Sequence, residues 1–93
     1  MTEEQKQRLG SLLASAGASA DSRSFWLMRL ERISSEACEK VMEFFESFPG
    51  EIENLRALQE KREQALSASD PALWEQFCKE EEEYFAKILA SQA

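Results

Sequence analysis

At 93 residues, with three glycines and two prolines, the chain supports one compact domain and argues against two. Its 43% hydrophobic and 31% charged residues are the profile of a folded protein with a wet surface, which argues against disorder. Lys plus Arg number 11 against 18 Asp plus Glu, and the net charge of −7 repels nucleic-acid phosphates and anionic headgroups while favouring basic or neutral partners.

The acidic excess is uneven. From Asp70 onward the chain carries Glu75 and the run Glu80 to Glu83 against only Lys79 and Lys87, so the last predicted helix is the acidic one. Cys38 and Cys78 both fall in helical, partly apolar patterns, which suits reduced, buried thiols better than a disulfide. The start, Met1 to Lys6, lacks the basic and then apolar order of a signal peptide, and no apolar run approaches a membrane span. The expected location is cytoplasmic.

The first predicted helix runs from about Thr2 to Ala16. Thr2 and Gln5 form a capping-box pattern, Leu9, Leu12, Leu13 and Ala16 recur at helical spacing, and Gly17 is suited to the residue just past the end. Gly10 weakens this helix by roughly 1 kcal/mol relative to Ala, so it needs a partner to persist. Residues 17–22 are small and polar and read as a flexible link.

A long helical pattern follows, from Asp21 or Ser22 as N-cap to Phe48, with Trp26, Leu30, Ile33, Ala37, Val41, Phe44 and Phe48 three or four apart, and Pro49-Gly50 ends it. Ser34 offers a second N-cap within it, with Ile33 and Cys38 as a hydrophobic staple. Against a break, Arg32, Glu36 and Lys40 form a ladder that is useful only in a continuous helix. The sequence leaves both readings open.

A third helix, Glu51 to about Leu66, has a thin apolar face of Ile52, Leu55, Leu58, Ala65 and Leu66. Asp70 as N-cap and Pro71 at the first helical position give the clearest helix start in the chain. The helix they open runs to about Ala90 and shows Leu73, Trp74, Phe77, Cys78, Tyr84, Phe85, Ile88 and Leu89 on one broad face. Glu75 with Lys79, and Glu83 with Lys87, are spaced as i,i+4 ion pairs. No strand pattern or repeat is present.

Four features bear on function. The run Phe25-Trp26-Leu27-Met28 points around most of a helix circumference, more than one stripe can hide, which predicts an interface drawing on Phe25, Trp26, Leu27 and Met28 together with Met42 and Phe45. The bland alternative is that this helix lies centrally and is covered by the others. Glu81 falls on the apolar side of the last helix and needs a partner. An antiparallel hairpin of the last two helices, folded about Ser69, brings Arg56 to Glu81 or Glu82. Arg23, Arg29 and Arg32, near one helix start, form a weak anion-site signal or simply a solvated surface. With no histidine in the chain, and with cysteines flanked by carboxylates that oppose thiolate formation, neither a catalytic base nor an activated nucleophile is evident.

The expected fold is therefore an all-α bundle of four helices, or five if the second breaks near Ser34, in a single domain of residues 1–93 with residues 1–16 on their link. The expected function is a noncatalytic protein–protein interaction or self-association module, with no cofactor, metal, direct nucleic-acid binding or membrane role. The partner is another copy or another protein. The rival is an acidic decoy or regulator that covers a basic surface of a nucleic-acid-binding protein. A third reading is a small-ligand carrier with a cavity among Trp26, Phe44, Trp74 and Phe77.

Overall fold

A computed structural model describes residues 1–91, and among them every regular element is helical. The order is α1 (Glu3–Ser15), α2 (Ala20–Leu30), α3 (Ser35–Ser47), a single 3₁₀ turn (Pro49–Glu51), α4 (Ile52–Ala68) and α5 (Pro71–Ala90). Five α-helices with no strand among the described residues make the fold all-α, and the break near Ser34 is the reading that holds. The chain falls into two compact units, Met1–Arg56 and Ala57–Ala93, with the boundary inside α4.

The helix ends are set by local chemistry. At α1, the Thr2 hydroxyl accepts from the Gln5 N–H at 3.1 Å, while the Gln5 carbonyl oxygen accepts from the Thr2 N–H at 3.0 Å, completing the capping box. At its other end Gly17 takes φ +73°, the Ala18 N–H donates to the Leu13 carbonyl and the Gly17 N–H to the Ala14 carbonyl, a Schellman motif that a residue with a Cβ would strain.

The link after α1 is shorter than its composition suggests. Ser19, not Asp21 or Ser22, caps α2, accepting from the Ser22 N–H at 3.1 Å, so residues 20–22 form the first helical turn. Ser22 does not cap because its hydroxyl is spent elsewhere: it is fully buried, donates to Glu53 Oε2 at 2.6 Å and accepts from Arg56 Nη1 at 3.0 Å.

At the serines, the Ser34 hydroxyl accepts from the Ala37 N–H at 3.1 Å and starts α3 afresh. Among the described residues the ladder of Arg32, Glu36 and Lys40 that favoured continuity forms no ion pair, because the turn at residues 31–33 removes the shared helical face. Ser69 adopts φ +53°, the left-handed conformation that closes α4, and the Asp70 carboxylate accepts from the Ala72 N–H at 3.0 Å to open α5.

The first unit has one continuous core. Leu9 and Leu13 of α1, Phe25, Trp26 and Leu30 of α2, Cys38, Met42 and Phe45 of α3, and Ile52 of α4 pack together, with Leu12, Leu27, Val41, Phe44 and Leu55 partly buried around them. Trp26 lies edge-on to both Phe25 and Phe45, with ring centroids 5.1 Å away in each case.

Polar contacts fasten α1 to its own chain. Arg8 binds both Glu39 and Glu46 of α3, its Nε reaching Glu46 at 2.8 Å, and Gln5 Nε2 donates to the Ser35 carbonyl at 3.0 Å. The Arg8 guanidinium in turn holds the Glu39 carboxyl below the usual carboxylate range.

The second unit is an antiparallel hairpin of the later part of α4 against α5. Lys61 Nζ pairs with Glu80 at 3.2 Å, Arg62 pairs with Glu81, and the Arg62 guanidinium lies 5.3 Å from the Phe77 ring centre. Its buried apolar residues are few: Ala65, Phe77 and Ile88.

Candidate functional site

The interface expected at the start of the former long helix is largely consumed by the first unit's own core. Phe25 is 8% exposed, Trp26 5%, Met42 0% and Phe45 1%, and Leu27 is half-buried against the same cluster. The cause is the break at Ser34. Once α2 and α3 are separate helices that fold back on α1, Phe25, Trp26 and Leu30, on different sides of α2, find cover within the unit. Of the six residues only Met28, 55% exposed, stands at the surface.

The three arginines of α2 do not converge on an anion site. Arg29 lies flat on the Phe25 ring, its guanidinium carbon 3.5 Å from the ring centre, and donates to the Phe25 carbonyl at 3.3 Å. Arg23 and Arg32 are exposed and make no ion pair among the described residues.

A more organised polar cluster, absent from the sequence reading, sits at the N-terminus of α2. The Glu53 carboxylate of α4 accepts from the Ser22 hydroxyl at 2.6 Å and from the Ser19 N–H at 3.4 Å, facing the positive end of the α2 dipole. Those bonds, with Arg56 nearby, hold the Glu53 carboxyl below its ordinary range against the opposing effect of burial. The cluster joins α2 to α4.

Arg56 therefore is not the partner of Glu81. It is engaged with Ser22 and lies 5.4 Å from the Phe25 ring centre, while Arg62 takes Glu81. The chain turns at Ser69 and Asp70, between the end of α4 at Ala68 and the start of α5 at Pro71, as expected, but the residue on Glu81 is Arg62, six positions along α4 from Arg56.

The apolar surplus that the composition implies is concentrated on the second unit. Leu66 is 61% exposed, Leu73 43%, Trp74 37%, Phe85 37% and Leu89 68%. At roughly 100° per residue, Trp74, Cys78, Phe85 and Leu89 lie within about 60° of one another on α5, beside the inward stripe of Phe77, Tyr84 and Ile88. At roughly 1.5 Å per residue this outer stripe is about 22 Å long. Near its upper end, Leu66 and Trp74 border a groove of about 270 Å³ with Ala65, Ser69, Asp70 and Pro71.

Charges border this stripe in a definite order. Glu81, on the inner side, is neutralised by Arg62. Among the described residues, Glu82, on the outer side and midway between Trp74 and Leu89, makes no ion pair, and neither do Glu75 and Glu83; Lys79 and Lys87 form none of the expected i,i+4 bridges.

The chemistry available here is that of binding. A second groove of about 300 Å³ is lined by Lys61, Gln64, Ala65, Leu73, Gln76, Phe77 and Glu80, a bonded ion pair, two amides and apolar groups, with no nucleophile beside a base. Among the described residues no three Cys, Asp or Glu side chains converge to hold a metal ion. Both cysteines are free thiols: Cys38 is buried, which pushes its pKa up, and Cys78 is half-buried. The cavity imagined among Trp26, Phe44, Trp74 and Phe77 divides between the units. Its first two members pack with Phe45, and Trp74 lies against Phe77 with ring centroids 5.4 Å apart. Among the described residues no helix is long and apolar enough to cross a membrane. Comparison with protein-family models, curated proteins and solved structures found no match to this chain.

Proposed function

We propose that the chain is a noncatalytic protein–protein interaction module that binds through the outer side of α5. The observation that carries this reading is the exposure of Trp74 and Leu89, 37% and 68%, with Leu66 at 61% beside Trp74. Large apolar groups gathered on one helix side mark a contact surface more often than scattered ones do. Self-association through residues 25–28 loses most of its support, since Phe25 and Trp26 are committed to the first unit's interior; what remains favours a different protein as partner.

The test is whether the stripe is spare surface. A Leu66→Ser, Leu89→Ser double variant is expected to keep the helical circular dichroism of the parent and to melt within about 0.5–1 kcal/mol of it, as surface substitutions do. A loss of cooperative melting comparable to a core deletion would show the stripe to be structural and end the proposal. The second reading, an acidic regulator on a basic surface, is favoured by the unpaired Glu75, Glu82 and Glu83. It predicts partner binding that weakens steeply with salt, whereas a purely apolar contact barely responds.

A further inference from the structure

We propose that α1 is an exchangeable element: the trough of α2 and α3 that it fills also takes the α1 of a second copy, and Gly17 is the residue that keeps the contact within one chain. The proposal is independent of the surface on α5.

The trough recognises α1 through a definite set of side chains. Leu9 and Leu13, 0% and 2% exposed, enter the core cluster of the first unit, with Met1 and Leu12 partly buried against it. Around them, Gln5 Nε2 donates to the Ser35 carbonyl at 3.0 Å and to Glu39 at 3.3 Å, Arg8 binds Glu39 and Glu46, and Lys6 Nζ lies 3.7 Å from Glu31. Leucines four apart, seated in an apolar trough edged by carboxylates that hold a neighbouring arginine, are a helix-in-groove form of recognition. By itself α1 is a weak helix. A segment of 13 residues with Gly10 in its middle is marginal in water, so its order comes from the trough.

These bonds do not depend on which chain supplies α1. An exchanged pair remakes each of them twice by symmetry, so the closed chain and the exchanged pair differ in the connection and in the entropy of association. The connection that must change is residues 16–18, because Ser19 keeps its bonds to Ser22 and Glu53 on the α2 side of it. In the closed chain Gly17 sits at φ +73°, and the Gly17 and Ala18 N–H groups close the turn onto Ala14 and Leu13. Glycine holds that conformation without penalty. A Cβ at Gly17 meets no atom within 4 Å, so a larger residue is opposed by backbone conformation alone, and only while the turn stays closed. Opening the turn for exchange removes that opposition, which places the choice between the two forms at Gly17.

The test is charge complementation in the full chain. One variant carries Arg8→Glu and the other carries Glu39→Arg with Glu46→Arg, so each alone sets like charges where α1 meets α3. In an exchanged pair of the two, the substituted α1 meets the substituted trough and the native α1 meets the native trough. Refolded together from urea, they are expected to form a heterodimer by sedimentation equilibrium, with a thermal midpoint above that of either variant alone. Two species that stay separate, each with its own midpoint, overturn the proposal. Gly17→Ala in the otherwise native chain is a second measurement. Straining the closed turn in both copies is expected to tighten dimerisation at least about tenfold relative to the parent. A Gly17→Ala chain that keeps its helical circular dichroism and dimerises no more tightly than the parent overturns the role of Gly17.

Discussion

The two units meet the same problem, covering large apolar side chains with few helices, and solve it unequally. In the first, α1, α2, α3 and the start of α4 surround one cluster, and Leu9, Cys38 and Met42 retain no exposed surface. In the second, one helix of wide apolar face meets one of narrow face. Phe77 and Ile88 are buried, and Leu66 and Leu89 remain mostly exposed. Number of covering elements, rather than hydrophobic content, decides whether an apolar helix is core or contact surface.

The difference is tested most severely by truncation. Phe45→Ala, at a residue 1% exposed, is expected to cost about 3–5 kcal/mol and to abolish cooperative thermal melting of the first unit. A cost near that of a surface change would mean that the cluster is not the core. Ser22→Ala removes the hydroxyl that bridges Glu53 and Arg56, and urea unfolding should register about 1–3 kcal/mol.

Acid tests the polar fastenings. Glu53 and Glu39 are held below the ordinary carboxylate pKa when folded, so both bind protons more weakly folded than unfolded. Their stabilisation is complete above the unfolded carboxylate value of about 4.3 and disappears as the pH falls through the lower folded values. Urea titrations from neutral pH into that range should show first-unit stability falling, and Glu53→Gln should flatten the fall. An unchanged slope in that variant would exclude Glu53 as a contributor.

Backbone changes should be smaller. An added Cβ at Gly10 meets nothing within 4 Å, so Gly10→Ala is expected to raise the melting midpoint, corresponding to roughly 0.5–1 kcal/mol. Least of all, Leu89→Ser at a side chain 68% exposed should change unfolding free energy by under about 0.5 kcal/mol, against the large loss at Phe45.

Much of the architecture was legible because it is written in short-range chemistry. Thr2 with Gln5, Gly17, and Asp70 with Pro71 mark helix ends through bonds spanning a few residues, and all of them form as their spacing implies. The break at Ser34 was legible only as an alternative, since a cap and an ion-pair ladder competed in the same stretch and tertiary packing chose the cap. Ser22 was misread as a cap because its hydroxyl serves residues on α4, a contact over 31 positions that no local pattern encodes.

The location of the exposed apolar surplus was missed for a related reason. Four consecutive apolar residues at 25–28 draw attention locally, but their exposure depends on how many helices surround them. A signal was present in the helices that follow: Leu58, Ala65 and Leu66 on α4 are too few to cover the eight apolar residues of α5. Comparing the widths of facing stripes, rather than the density within one, locates the surplus on α5.

The chain's only two tryptophans are divided between the units, and their surroundings differ. Trp26 is 5% exposed with its indole nitrogen unbonded among aromatic rings, whereas Trp74 is 37% exposed. Its dry setting gives Trp26 blue-edge emission that shifts red only when the first unit opens, while Trp74 reports on the hairpin and on whatever covers α5. Single-tryptophan variants thus supply two optical channels, one for each unit's unfolding, without an added dye.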